Sequence, residues 1–293
     1  MTAWADIPLT DDIREAVAHA FEIDTTSPAE RLYGGEESAS YRVGDNVIRI
    51  GPEWRDTGEL EWCYAVASHA GLTIPEVPSP MLTGEHRRVV RAEGRPITVW
   101  PFVQGSWADR DDPHHRAQAA QLLARLHRSL ADAPVEARPI DTSPVVETPD
   151  LDDVELDQWW TGFVASHTRH QALHGDYYRG NMLVDDGRVT GLVDWDNAHI
   201  GPAIQELAWA AWEWTDASEQ YDVERCAPFL AEYDAAGGPA PAPDPVTIAQ
   251  VVRHRVRWEV SYGRAARARG VQHDADDLQY ESDIIEAFHE LRP

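Results

Sequence analysis

The spacing of apolar positions changes several times along the chain, and the changes delimit its elements. From Thr10 to Phe21, Ile13, Val17 and the pair Ala20-Phe21 fall on one side of a helix, with Thr10 or Asp11 as its cap. Short strand-like runs follow at Arg31–Tyr33, Ser40–Val43 and Val47–Ile50, separated by glycine-bearing turns. Glu59–His69 returns to helical spacing and ends at Gly71, after which Pro75, Pro78 and Pro80 keep the chain extended. Arg88–Arg91 and Ile97–Phe102 complete five strands. Beyond them the pattern is mostly helical. His114–Ala131 aligns Ala117, Ala120, Leu123 or Ala124, His127 and Leu130, and after the proline-rich loop 134–149, Gln158–His167 is anchored by Trp159, Trp160 and Phe163. Ile204–Trp214 turns Leu207, Ala208 and Ala211 inward. Past the loop Gly237–Pro245, Ile248, Val252, Val256 and Val260 form one stripe, with Arg255, Trp258 and Tyr262 on an adjoining face. Leu278, Ile284, Ile285 and Phe288 are expected to be the inward side of a last helix.

One stretch breaks this rhythm. In LHGDYYRGNMLVDDGRVTGLVDWD, from Leu173 to Asp196, two short apolar runs, Met182–Val184 and Val189–Val193, flank Asp185-Asp186-Gly187, a hairpin turn signal. Two antiparallel strands joined by a tight turn begin and finish at the same end. His174, Asp176, Asn181, Asp194 and Asp196 should therefore converge. Asn181 and Asp194 offer oxygens suited to a hard cation such as Mg²⁺. Asp176, five residues before Asn181, suits accepting a proton from an attacking hydroxyl or orienting it.

A lone His-Gly-Asp or Asp-Trp would mark only a turn. Here HGDYYRGN, the hairpin, VDWD, Gly201-Pro202 and Glu206-Leu207-Ala208 follow in order. The whole resembles the aminoglycoside phosphotransferase and choline kinase superfamily, whose loop reads H-G-D-x-x-x-x-N and whose metal motif reads I/V-D-W/F. The match is tight over this segment and loose over most of the chain. Glu206 replaces the family's usual Asp and Ala203 follows Gly201-Pro202, departures expected to touch packing more than chemistry.

The resemblance implies an α+β, bilobal protein-kinase-like fold. A small antiparallel-sheet lobe would cover residues 1–103 and a mainly helical lobe 104–293, with nucleotide between them. It implies Asp176 as base or orienter, Asn181 and Asp194 as Mg²⁺ ligands, and His174 as a buttress of the loop. Asp196 would reach the cation's surroundings or the acceptor. The third strand of such a fold carries a cation for the nucleotide phosphates, which puts Arg49 in that role, helped by the turn residues Gly34, Gly35 and Ser38. The following helix would pair a glutamate with that cation: Glu61, or Glu59 as second choice. The hinge would bond adenine through its backbone. Pro101 has no N–H, which leaves Phe102 or Val103.

Composition narrows the chemistry. The 25 basic residues are all arginine against 51 acids, for a formal charge of −26. Without lysine there is no P-loop and no Schiff-base lysine. So acidic a chain does not suit nucleic acid or an anionic membrane, and it would suit a cationic substrate, although solubility alone explains acidity equally well. Trp212 and Trp214 beside Glu213 could line a site for an ammonium group, with Trp258 a further candidate for the acceptor, whereas packing between helices explains Trp209 better. Arg255 and Arg257 could instead engage a carboxylate. Two distant cysteines and a start without a basic, apolar leader point to the cytoplasm.

The expected activity is transfer of the γ-phosphoryl of ATP or GTP to a hydroxyl of a small acceptor, an antibiotic first. A metabolic kinase of choline, homoserine or a sugar is the alternative. An inactive kinase-fold binding protein is disfavoured by the intact Asp176, Asn181 and Asp194. A protein kinase is disfavoured by the Asp-Trp-Asp motif and the lack of a recognisable activation loop.

Overall fold

A computed structural model describes residues 5–34, 37–134, 137–139 and 141–293. Helix α1 (Asp11–Phe21) starts where Thr10 accepts a hydrogen bond from the Ile13 N–H. Strands β1 (Ala29–Leu32), β2 (Ala39–Val43) and β3 (Asn46–Ile50) precede helix α2 (Thr57–Gly71), and β4 (Val90–Ala92) and β5 (Arg95–Pro101) follow it. The five strands form one antiparallel sheet in the order β1-β2-β3-β5-β4. Ile13, Val17 and Phe21 of α1 pack on Ile48, Ile50, Ile97 and Val99 of the sheet. Side chains alternate along a strand, so Arg49, between Ile48 and Ile50, leaves by the opposite face.

The rest is helical apart from small strands. In order come β6 (Ser106–Trp107), α3 (Pro113–Leu130), α4 (Val154–Ser166), β7 (Gln171–Leu173), β8 (Met182–Asp185), β9 (Arg188–Leu192) and β10 (His199–Gly201). Then follow α5 (Ala203–Glu213), α6 (Ala217–Gln220), α7 (Ala227–Ala235), α8 (Pro245–Ala268) and α9 (Ala275–Glu290). β8 and β9 form the expected hairpin through Asp186 and Gly187, both at positive φ. β6 pairs with β8, and β10 returns to pair with β7. The larger core joins α3, α5 and α8 and also takes in α2: Leu60, Cys63, Tyr64 and Ala67 pack there, not under the sheet. No helix among the described residues is long and apolar enough to cross a membrane.

Three elements differ from expectation. Helix α4 begins at Val154, four residues early, because Asp153 caps it by accepting from the Leu156 N–H. Glu155 and Asp157 then lie in its first turn, where carboxylates suit the helix dipole. β4 begins at Val90, not Arg88, because the N–H groups of Arg88 and Val89 both donate to the Glu61 carboxylate, at 2.9 and 3.1 Å. Leu278 is exposed, while Phe288 is buried and Ile284 and Ile285 pack at the core's edge.

Candidate active site

The hairpin brings its flanking residues together as its geometry requires. Met182 pairs with Leu192, and one step beyond, the Val193 N–H donates to the Asn181 carbonyl at 2.9 Å. Asn181 and Asp194 therefore lie at the same end of the ribbon. The catalytic-loop segment arrives from β7. His174 is fully buried, donates from Nε2 to the Val193 carbonyl at 3.0 Å, and accepts the Asp176 N–H at Nδ1 at 3.2 Å. Those two bonds define its neutral tautomer. Gly175 sits at φ +83°, and a Cβ there would lie 2.0 Å from the Asn197 carbonyl oxygen, so only glycine fits. Its N–H donates to Glu206 at 2.6 Å.

Glu206 consequently does more than pack. Its second oxygen accepts from His127 Nε2 at 2.9 Å, and His127 Nδ1 accepts from the Tyr233 hydroxyl at 2.8 Å. All three side chains are buried. Burial raises the Glu206 carboxyl, but His127 outweighs it and holds the group below the ordinary glutamate value. His127 is structural, as its place on the inward face of α3 implied.

Asp176 and Asp194, alike in chemistry, are treated oppositely. Asp176 Oδ2 accepts from Asn181 Nδ2 at 2.9 Å and Oδ1 from Arg255 Nη2 at 2.7 Å. Burial pushes its carboxyl up against the pull of Arg255, and the balance lies above the usual value. Burial acts on Asp194 too, but the Arg49 guanidinium outweighs it and the group lies low. Arg49 Nη1 donates to Asp194 Oδ1 at 3.0 Å and to Asp196 Oδ1 at 3.2 Å, and Nη2 meets Asp196 Oδ2 at 3.0 Å and Ser38 Oγ at 3.2 Å.

The donor set fits a hard cation. Asn181 commits its amide N–H group to Asp176, which leaves its oxygen, and Arg49 bonds Oδ1 of Asp194, which leaves Oδ2. Asp194 stands at φ +62°, with its side chain 36% exposed. Among the described residues no cluster of three or more His, Cys, Asp or Glu residues could hold a metal. A cation here would thus take most of its ligands from nucleotide and water.

Two expectations are corrected. Neither Glu61 nor Glu59 meets Arg49. Glu61 accepts from Arg87 and from the backbone of Arg88 and Val89, and Glu59 pairs with Arg138 at 2.7 Å and Thr142 at 2.8 Å. α2 reaches the site through Tyr64 instead, whose hydroxyl donates to Asp196 Oδ1 at 2.8 Å. Phe102 has no N–H to offer, because it donates to the Asp45 carbonyl at 2.8 Å. Pro101 pairs with Asn46 but lacks a donor, so the ladder's next bond falls to Phe102. Arg42 also lies over the Phe102 ring, 3.7 Å from its centroid. Val103 packs its side chain toward Gly191. Gly34 and Ser38 border the cleft, and Gly35 lies outside the described residues.

The cleft holds about 960 Å³ and is bordered by Asp176, Asp194, Asp196, Trp212, Glu213 and Trp258 together with Gly34, Ser38 and Arg49. Trp212 borders the cleft although only 3% of it is exposed. Trp258 stacks on Tyr262 with centroids 5.3 Å apart. Burial, then Glu259 and Asp176, raise the Glu213 carboxyl to about 8. Arg257 points away and pairs with Asp157 at 2.6 Å. Tyr64 and Glu259 were not foreseen. Glu259 was readable as the i+4 partner of Arg255, which it meets at 2.7 Å. Tyr64 had no signal beyond its helix.

An antiparallel sheet over a helical core, with a loop Asp and a hairpin-borne Asn and Asp beneath a strand arginine, defines a kinase-like phosphotransferase. The family model described as "Phosphotransferase enzyme family" (APH) matches residues 29–248, and the chain belongs to that family. It is a phosphotransferase with an alcohol group as acceptor. Among curated relatives, a homoserine kinase of Granulibacter bethesdensis is 22% identical over 252 residues, covering 78% of this chain and 77% of its own. A homoserine kinase of Pseudomonas aeruginosa is 26% identical over 173 residues, only 54% of each chain. An amicoumacin kinase in complex with AMP-PNP, Ca²⁺ and Ami superposes with a TM-score of 0.69 at 12% identity, over 97% of this chain and 95% of its own. A choline/ethanolamine kinase family protein from Mesorhizobium loti gives 0.65 at 18%, over the same shares.

Proposed function

We propose that this chain moves the γ-phosphoryl of ATP or GTP to a hydroxyl of a small, amine-bearing acceptor. The observation that carries the acceptor class is Glu213. It borders the cleft, is partly buried, and makes no hydrogen bond or ion pair with any described residue. Beside it stand Glu259, Asp176 and the rings of Trp209, Trp212 and Trp258. A carboxyl group without a partner, kept protonated by burial and its acidic neighbours, would release its proton to pair with an arriving ammonium group, and the surrounding indoles add cation–π attraction.

In this reading Asp176 takes the proton of the acceptor hydroxyl while that oxygen bonds the γ-phosphorus and the β–γ bridging oxygen leaves with the diphosphate. Burial, which raises Asp176, suits it to that task. Mg²⁺, held by Asn181 and Asp194, would neutralise phosphate charge. Arg49, Ser38 and Gly34, with Gly35 next to it in sequence, would receive the phosphates, and the Val103 N–H would meet the base of the nucleotide. The polypeptide divides functionally at residue 103, with the sheet covering the nucleotide and residues 104–293 carrying catalysis and acceptor. The cytoplasm, where the nucleotide is supplied, is the setting this activity needs.

An antibiotic is the favoured acceptor, because a cleft of about 960 Å³ has room for a triphosphate and a sizeable partner. The homoserine kinase relatives support a second reading, a small amino alcohol or amino acid. A coupled-turnover screen separates them, with aminoglycosides, nucleoside antibiotics and macrolides against choline, homoserine and sugars. Turnover of an aminoglycoside supports the first reading, and turnover of homoserine or choline the second. Turnover confined to acceptors without an amine would sink the assignment of Glu213.

A further inference from the structure

Arg253, Arg255 and Arg257 are spaced two apart on α8, and each meets a different setting. Arg253 is buried and bonds Asp153, Gln250 and the Phe288 carbonyl. Arg257 pairs with Asp157 at the helix exterior. Arg255 alone of the three borders the cleft. Its guanidinium makes three directed bonds: Nη2 to Asp176 Oδ1 at 2.7 Å, Nη1 to the Gly175 carbonyl at 2.9 Å, and Nε to Glu259 Oε1 at 2.7 Å. The guanidinium carbon also lies 5.3 Å from the centroid of Trp209 and 4.7 Å from that of Trp258. A planar fork with three acceptors and two ring neighbours has little freedom to reorient.

We infer that Arg255 is a positioning residue for phosphoryl transfer, aiming Asp176 at the acceptor hydroxyl and tying that aim to the acidic acceptor wall through Glu259. The inference rests on the reading that Asp176 meets the acceptor hydroxyl. Asp176 has two oxygens, and among the described residues each has a single hydrogen-bond partner. Asn181 holds Oδ2 and Arg255 holds Oδ1. By also bonding the carbonyl of Gly175, Arg255 fixes the loop backbone along with the carboxylate. Glu259, which bonds Arg255 and accepts from Tyr280 at 3.1 Å, stands beside Glu213. Charge arriving at the acceptor wall is therefore felt by the group that aims the base. Reacting groups held in line account for much of the catalysis of phosphoryl transfer, so losing the clamp should cost turnover more than binding.

Hydrolysis of Mg-ATP by water requires no acceptor, and it is measured beside transfer to homoserine, ethanolamine and hygromycin B. Arg255→Met should lower kcat by ~10², the order expected for a misplacement of about an ångström, with KM for ATP within about twofold of wild type. Arg255→Lys, which keeps the charge without the fork, should lose about tenfold. Added guanidinium at millimolar level should restore part of the Arg255→Met rate, which a merely structural loss would not permit. Glu259→Gln, less disruptive to folding, should lower kcat by a few-fold in the same direction, and Arg257→Gln should leave it unchanged. An active wild type whose Arg255→Met and Glu259→Gln variants keep kcat overturns this inference and leaves the kinase reading intact. So does a rise in KM for homoserine at constant kcat, since Arg255 would then bind acceptor directly. A wild type that binds Mg-ATP but neither hydrolyses nor transfers it overturns both.

Discussion

Two arginines hold the carboxylates of the cleft, and they do so from different cores. Arg49 comes from the sheet and grips Asp194 and Asp196, more than 140 residues away in sequence. Arg255 comes from α8 and grips Asp176 and Glu259 from within the larger core. Both guanidiniums pull their carboxylates down, but the balance with burial differs: Arg49 outweighs it and Asp194 is held low, whereas burial outweighs Arg255 and Asp176 stands high. Two like groups with protonation equilibria pushed apart mark a division of labour. The low one is suited to stay charged beside a cation and phosphates, the high one to take a proton. The arginines differ in the same way. In our reading the contacts of Arg49 are those that nucleotide and metal must compete for, whereas the contacts of Arg255 persist.

The largest effect should come from exchanging the two carboxylates for amides. Asp176→Asn should keep nucleotide binding while turnover falls by ~10² to 10⁴, the usual range for a positioned general base. Asp194→Asn should impair Mg-nucleotide binding and turnover together. Nucleotide titration beside steady-state kinetics reads both. Identical profiles for the two variants would erase the distinction between the clusters.

Next in size is Arg49→Ala. Loss of charge-assisted bonds of about 1.5–3 kcal/mol should weaken nucleotide binding by roughly 10- to 100-fold, with Arg49→Lys intermediate. Glu61→Gln, whose partners lie in the 87–89 segment, should leave nucleotide affinity within about twofold and shift only the denaturation midpoint. If Glu61→Gln weakened nucleotide as much as Arg49→Ala, α2 would pair with Arg49 in the working enzyme after all.

The smallest effect is on stability. Glu213 holds its proton to about pH 8 in the folded chain but releases it near its ordinary value of 4.5 when unfolded. The folded state thus binds more protons across that window, and its stability falls as pH rises through it. Glu213→Gln should flatten this dependence and raise Tm at pH 8 by about 2 °C or more, while bound amine should do the same for wild type. A Tm difference between wild type and variant that does not change from pH 5 to pH 8 would remove Glu213 from the acceptor wall.

The two clusters also differ in how legible they were. Asn181 and Asp194 were placed by a hairpin, a local object whose turn and strand lengths bring its ends together whatever surrounds it, and His174 by the loop motif that leads into it. The Arg255, Trp258 and Tyr262 face was readable from helical spacing, because the apolar stripe 248-252-256-260 sets the phase of α8. α2 offered no such phase. It is buried at Glu59, Leu60, Trp62, Cys63, Tyr64, Val66, Ala67 and Ala70, nearly all round, so periodicity could not say which side met Arg49. Phe102 failed for a different reason: a proline in register on β5 moved the ladder's last bond onto it.

The order of short strands and helices, the hairpin, and the spacing of His174, Asp176, Asn181 and Asp194 were determined by sequence alone, since each depends on contacts a few residues apart. Which charges meet was decided by the tertiary structure. Arg49 reaches Asp194 and Asp196, Tyr64 replaces a glutamate, Glu206 supports Gly175 and Arg255 clamps Asp176, all across long loops in the chain. Such pairings depend on how elements distant in sequence pack, between the two cores for Arg49 and within the larger one for the others, and in a chain with 51 acids and 25 arginines the residue types alone leave too many partners open.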